Sequence, residues 1–203
     1  MSYNKIAPYY FLLEKIVFGN KLEQARTNLL SELPTGTGLV LGGGSGFVSN
    51  HLQSLGQNIQ HVDTSINMIE IAKKNNPRVH YIHNDAFEFL LKTSNKYDFI
   101  CLPFFIDLFP LAEQAKFLKL CAQRMHPHAK LWVADFQIPT GWFLKIRAQA
   151  YIKMMICFFK YSTGLQISKL SNWQVQSQID FVLENKTTLC GDLIATNIYR
   201  LKP

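Results

Sequence analysis

Leu39-Val40-Leu41-Gly42-Gly43-Gly44-Ser45-Gly46 is an apolar run that breaks into four glycines within five residues. Such a run reads as a buried strand turning sharply into a helix. Lacking side chains, the turn lets a ligand approach the backbone and reaches φ > 0 without steric cost. At the carboxyl end of the first strand of an open α/β sheet, a turn of this kind is a nucleotide-type binding site.

Outward from the turn, strand and helix alternate. Leu39 to Leu41 is the first strand and Phe47 to Leu55 the helix after it. Asn58 to Asp63 is the second strand, and Thr64-Ser65 caps a helix to about Lys74. Val79 to Ile82 follows as the third strand, then Asp85 and a helix through Leu91. Tyr97 to Leu102 is the fourth strand, Leu111 to Met125 an amphipathic helix, and Lys130 to Phe136 the fifth strand. This alternation predicts an α/β fold with a doubly wound, Rossmann-like, mostly parallel sheet and right-handed crossovers.

The flanks differ. Residues 3 to 32 read as two helices broken at Gly19-Asn20, the second running from Leu22 to Leu33. Beyond Pro139, Trp142 to Lys160 reads as a long, hydrophobic and basic helix. Gln178 to Glu184 and Leu193 to Tyr199 then form an antiparallel pair, with Cys190-Gly191-Asp192 near the turn. The expected sheet therefore has seven strands, one of them antiparallel. With no repeat or linker, residues 1–203 read as one domain: helices over 1–36, a binding core over 37–137, and a closing segment over 138–203.

The composition, 48% hydrophobic and 17% charged over 203 residues, is that of a globular chain. The net charge of +7 raises nucleic acid or an anionic membrane as partners, but the basic residues are scattered, with no run beyond Lys73-Lys74. That dispersion predicts a basic surface and no nucleic-acid footprint. Cys101, Cys121, Cys157 and Cys190 show no paired spacing and read as reduced, mostly buried thiols of a cytoplasmic protein. Met1 to Lys5 lacks a signal-peptide pattern, and Tyr151 to Phe159, interrupted by Lys153, is too short to span a bilayer. The expectation is a soluble protein. Its 142–160 helix covers an apolar pocket or touches a membrane surface peripherally. No feature of the sequence assigns an oligomeric state.

Three features beyond the glycines sit where a nucleoside ligand needs them. Asp63 ends the second strand, where a carboxylate accepts both ribose hydroxyls. Asp85, after Asn84 at the end of the third strand, is placed to accept from an adenine amino group or to cap the next helix. Leu102-Pro103-Phe104-Phe105 ends the fourth strand at the ligand crevice. The dinucleotide pattern G-x-G-x-x-G does not fit, because its third glycine falls at Phe47 or at Ser49. His126-x-His128 reads as a surface turn without a third ligand, so no metal is expected.

These segments, in this order, resemble class I S-adenosylmethionine-dependent methyltransferases over nearly the whole chain. Val40 to Gly46 is similar to that family's first motif, and His61-Val62-Asp63-Thr64-Ser65-Ile66-Asn67-Met68 to its second-strand segment. Asn84-Asp85-Ala86 resembles the adenine-contacting turn, Tyr97 to Ile100 the fourth strand and Leu131 to Phe136 the fifth. Tyr3 to Tyr10 is similar to the small-molecule branch that includes ubiquinone/menaquinone methyltransferases.

The resemblance implies the class I methyltransferase fold and S-adenosylmethionine as cofactor, with S-adenosylhomocysteine as product. Gly42, Gly43, Gly44, Gly46, Asp63, Thr64, Met68, Asn84, Asp85, Ala86, Leu102 and Pro103 would hold the cofactor. Tyr3, Tyr9, Tyr10, Phe104 and Phe105 would face a small, apolar or aromatic acceptor, the tyrosines either as a lid or as a packed aromatic face. Asp107, Asp135 and Tyr10 are the candidate catalytic residues. Three departures stand out: Val40 replaces the family's usual acid, His126-Pro127-His128-Ala129 replaces Pro-Gly-Gly, and Asn-Pro-Pro-Tyr is absent. Val40 motivates the alternative, a non-catalytic S-adenosylmethionine or nucleoside binder.

Overall fold

The computed structural model describes residues 18–139, 141, 152 and 173–202. Tyr3, Tyr9, Tyr10 and Cys157 lie outside them, as does the predicted 142–160 helix apart from Ile152, which is helical and buried. The strands are β1 (Thr37–Leu41), β2 (Asn58–Asp63), β3 (His80–His83), β4 (Tyr97–Pro103), β5 (Met125–Phe136), β6 (Phe181–Leu189) and β7 (Ile194–Leu201). The helices are α1 (Lys21–Thr27), α2 (Phe47–Ser54), α3 (Ile66–Asn75), α4 (Ala86–Lys92), α5 (Leu111–Gln123) and α6 (Trp173–Ser177).

The seven strands form one sheet in the order β3-β2-β1-β4-β5-β7-β6. All pairings from β3 to β5 are parallel, and β7 runs antiparallel to both β5 and β6. The apolar run of β1 is explained by burial on both faces. Leu39 and Leu41 enter a core with Leu90, Phe117 and Leu131, while Val40 enters another with Val48, Leu52 and Trp132. A strand covered on both sides has no polar face to show in its sequence. Chain order reverses between β1 and β4, so their carboxyl ends open a crevice at the topological switch point.

The flanks depart from the sequence expectations. The helix expected over Leu22 to Leu33 stops at Thr27, Leu29 turns left-handed at φ 63°, and a 3-10 turn over Leu30–Glu32 follows. Tertiary bonds take over from the helix there: Trp132 Nε1 donates to the Asn28 carbonyl at 2.9 Å, and Asn28 Nδ2 to Thr187 Oγ1 at 3.3 Å. Strand β5 begins at Met125, which pairs with Tyr97 before the register shifts to Phe99–Lys130 and leaves His126 to His128 exposed. Strand β6 lies further along than predicted, because its polar run Asn185 to Thr188 pairs with β7 at the sheet edge. Helix α6 was not anticipated. Trp173 anchors it, fully buried and donating Nε1 to the Phe136 carbonyl at 2.8 Å. Cys101 and Cys121 are buried free thiols as expected, but Cys190, in the β6–β7 turn, is exposed.

Candidate functional site

The glycine turn begins where the β1 ladder ends. Gly42 N–H donates to the Val62 carbonyl at 2.9 Å, continuing the parallel pairing by one step. Gly42 then takes φ 65°, and a Cβ there would collide with the Phe105 ring. Gly44 is also left-handed, at φ 54°, but a Cβ there would meet nothing within 4 Å. The first glycine is demanded by packing, and the second leaves open space above the backbone. Gly43 admits the His61 ring beneath it, and Gly46, 2.8 Å by its absent Cβ from the Ala72 methyl, starts α2 against α3.

Asp63 ties the turn to the next strand. Its Oδ2 accepts the Gly44 N–H at 2.8 Å and its Oδ1 the Ser65 N–H at 2.8 Å. Burial pushes this carboxyl above its ordinary value, and the backbone donors pull it back. Each oxygen keeps a further lone pair for a ligand hydroxyl. Two residues on, Ser65 caps α3 by accepting the Met68 N–H. At the end of β3, Asn84 N–H reaches the Asp63 carbonyl at 3.2 Å. Asp85 caps α4 through Oδ1, which accepts from Phe87 at 2.9 Å and Glu88 at 3.1 Å. The cap reading holds, and because both bonds fall on Oδ1, Oδ2 is left for a donor in the crevice.

The far end is apolar. Phe104 continues the β4 ladder by donating to the Ala134 carbonyl at 2.7 Å, in a left-handed conformation at φ 53°. Such a backbone costs a bulky residue about 1–2 kcal/mol and persists where the surroundings over-determine it. Phe105 packs with Phe109 and Phe117, ring centroids 5.0 and 5.4 Å away.

A cavity of about 210 Å³ joins the two ends. Twelve of the predicted site residues line it: Gly42, Gly43, Gly44, Asp63, Thr64, Met68, Asn84, Asp85, Ala86, Pro103, Phe104 and Phe105. Gly46 and Leu102 do not, the first packing on α3 and the second fully buried in the core. Tyr3, Tyr9 and Tyr10 lie outside the described residues. Asp107 and Asp135 are placed behind the wall and not on it. Both are buried, and Asp107 N–H donates to Asp135 Oδ2 at 3.1 Å. Burial raises Asp107 to about 6 and, together with the neighbouring Asp107 charge, raises Asp135 well above the carboxylate range. Two facing carboxyls in a dry site hold a proton between them.

Sequence reasoning missed Arg26, Phe47, Leu108 and Phe109, all of which line the cavity. Arg26 had a legible signal: it lies four residues after Leu22, a charge on the apolar face of its helix. Val40 lies in apolar packing beside its register partner His61. His61 is buried with Nδ1 2.8 Å from Ser49 Oγ, and its Nε2 has no partner among the described residues. Burial lowers it to about 4, so the ring is neutral near pH 7.

This fold and crevice define an α/β protein with a candidate ligand site at its switch point, and comparison with known proteins narrows the class. Residues 39–128 match the family model of the methyltransferase domain. A comparison with curated proteins gives no match. Among solved structures, a protein from Pyrococcus horikoshii OT3 is 16% identical, with 96% of this chain and 99% of that one covered, at a TM-score of 0.68. The N-methyltransferase NodS from Bradyrhizobium japonicum WM9, in complex with S-adenosyl-l-homocysteine, is 11% identical over 91% and 87% of the chains, at 0.66. Magnesium protoporphyrin IX methyltransferase from Synechocystis PCC 6803, also with that product bound, is 14% identical over 93% and 85%, at 0.65. Residues 39–128 thus match a methyltransferase domain, and the solved structures share the fold of the whole described sheet.

Proposed function

We propose that this chain, as a single domain over residues 1–203 with a doubly wound core, methylates a small apolar or aromatic acceptor bound at the Phe104–Phe105 end of the crevice. The observation that carries this reading is the continuity of one cavity from Gly42–Gly44 and Asp63 to Phe104 and Phe105. The residues present fit the cofactor. Open space above Gly44 suits a ligand lying on the backbone, and Asp63 offers lone pairs on both oxygens to a ribose. Asp85 Oδ2 and Asn84 would meet the adenine edge. Gly46 and Leu102 support the turn and the fourth-strand end from behind.

When bound, the cofactor supplies an electrophilic methyl group. The protein's task is then to hold the acceptor in line and exclude water, and positioning of that kind is worth as much as about 7–11 kcal/mol of barrier. Phe104, Phe105 and Phe109 supply an apolar wall for an aromatic or quinol-like acceptor. That chemistry suits the ubiquinone/menaquinone-type branch, with Tyr3, Tyr9 and Tyr10 as a lid. The buried free thiols Cys101 and Cys121 favour a reducing compartment, the cytoplasm. Transfer of tritiated methyl to a panel of quinols, phenols and lipids tests the reading, and a labelled quinol or phenol is the expected result.

A second reading, a binder without transfer, draws on Val40 and on the placement of Asp107 and Asp135 away from the cavity surface. Calorimetric binding of S-adenosylhomocysteine with no acceptor labelled across the panel would favour it.

A further inference from the structure

His83 is the last residue of β3 and the register partner of Asp63. Its exposed ring sets Nε2 3.0 Å from the Thr64 carbonyl oxygen. A carbonyl only accepts, so Nε2 carries a proton and the bond fixes the tautomer. Within the same turn, Asp63 accepts the Gly44 and Ser65 N–H groups. Asn84, next after His83, donates its N–H to the Asp63 carbonyl at 3.2 Å. The end of β3 thus grips two successive carbonyls, and the residues that carry them, Asp63 and Thr64, both line the cavity. His83 itself stays off the cavity wall.

Charge adds to this geometry. Burial pushes the Asp63 carboxyl up, and the backbone donors and the neighbouring His83 pull it back. Histidine is the side chain that changes charge between pH 5 and 8. The other titratable neighbours do not duplicate it. His61, two residues back on β2, stays neutral in that range because burial lowers it to about 4. Tyr81, two residues back on β3, is raised to about 12 by burial and stays neutral too. Asp85, two residues beyond His83, is engaged in capping α4. The glycine turn brings only backbone, and the first turn of α3 brings no acid and no base.

We propose that His83 is a positioning residue of the cofactor site, which holds the Thr64 carbonyl through Nε2–H and, charged as pH falls, keeps Asp63 in its hydroxyl-accepting form. The inference rests on the methyltransferase reading and deepens it. An ionised carboxylate accepts from a ribose on both oxygens, whereas a protonated one gives up part of that capacity to its own proton. Cofactor binding then extends to lower pH than a buried Asp63 alone would allow.

The test is calorimetry of S-adenosylhomocysteine binding to the whole chain between pH 5 and 8, in the wild type, in His83→Gln and in His83→Ala. Glutamine keeps an N–H donor for the Thr64 carbonyl but cannot take a charge. Its affinity should match the wild type at pH 8 and fall about two- to fivefold below it at pH 5. Alanine loses the bond as well and should bind more weakly at both ends of the range. Melts should barely separate the three proteins, because the side chain is exposed. Adding Asp63→Asn to each should abolish the pH-dependent gap between the wild type and His83→Gln. Parallel pH profiles for those two, or wild-type affinity in His83→Ala throughout, overturn the proposal. If the wild type binds no S-adenosylhomocysteine at any pH, the methyltransferase reading fails instead. Carbon NMR of the Asp63 carboxyl then decides on His83 without a ligand: its titration midpoint should rise in His83→Gln, and an unmoved midpoint overturns the proposal.

Discussion

The two ends of the crevice are built by different means. At the glycine turn, ligand-facing geometry is set by the backbone: left-handed Gly42 and Gly44, and Asp63 held by two main-chain donors. At the phenylalanine end it is set by side chains drawn from α1, the end of β4 and the segment that follows it. The 3-10 turn over Ile106–Leu108 is pinned there by buried polar groups, Asp135 accepting from Asp107 N–H and Gln114 Nε2 donating to the Ile106 and Phe109 carbonyls. The first kind of site tolerates no change of backbone class. The second can be reshaped by any of several separate segments, which would suit the acceptor end proposed above.

Substitution at Gly42 strikes both ends at once and should have the largest effect. Gly42→Val places a branched Cβ in the Phe105 ring at a backbone angle that β-branched residues avoid. A stability loss of about 3 kcal/mol or more, with no measurable S-adenosylhomocysteine binding, is expected from overpacking plus backbone strain. Gly44→Ala is the contrast, with open space around its Cβ. Only the strain of about 1–2 kcal/mol acts on folding, so ligand affinity should fall further than the melting temperature suggests. Equal loss of fold in both variants would erase the distinction between packing glycine and ligand glycine.

Asp63→Ala tests the backbone-built end by its charge. Cofactor affinity should weaken by about 1–3 kcal/mol, the range for a lost charge-assisted contact, as read by calorimetry. Unchanged affinity in a folded variant would remove Asp63 from the ribose site.

The same contrast explains what could be read from the sequence. Glycine clustering, the acid ending β2 and the Asn84-Asp85 turn are local signals, because backbone conformation and capping act over a few residues. All seven strands were legible for a similar reason, with errors confined to their ends. What escaped depends on distant partners. The helix expected over Leu22 to Leu33 yields to bonds with Trp132 and Thr187, more than 100 residues on. Arg26 reaches the cavity only because α1 packs beside Phe104, and nothing local marks Leu108 or Phe109 as lining it. Asp107 and Asp135 lie at the strand-end positions the sequence suggested. Only tertiary packing decides that they face each other and not the ligand.

That buried pair gives the side-chain-built end a pH signature. Asp107 is raised from an unfolded value near 3.8 to about 6, so the folded protein binds the proton more tightly than the unfolded chain. Its contribution is complete below the unfolded value and is lost as pH rises through about 6. His61 works in the opposite sense. Lowered to about 4 from 6.5, it contributes above pH 6.5 and loses that contribution as pH falls toward 4. Asp107→Asn keeps a donor toward Asp135 without a titrating proton. The variant should therefore match the wild type at low pH and exceed it above pH 7, read from melts across pH 4–8. A difference that does not change with pH would show that the pair holds no shared proton.

Asp85 carries the smallest effect and the finest discrimination. Asparagine caps helices nearly as well as aspartate. Because Oδ1 already accepts from Phe87 and Glu88, the asparagine oxygen should stay there and its amide nitrogen should take the place of Oδ2. The crevice then gains a donor where it had an acceptor, at little cost to the fold. Asp85→Asn should leave the melting temperature nearly unchanged and weaken S-adenosylhomocysteine by about 1 kcal/mol. The inosine analogue, which presents a carbonyl in place of the adenine amino group, should bind the variant better than it binds the wild type. A pure helix cap would leave both ligands as they were, whereas an inverted preference requires the Asp85 carboxylate to touch the base.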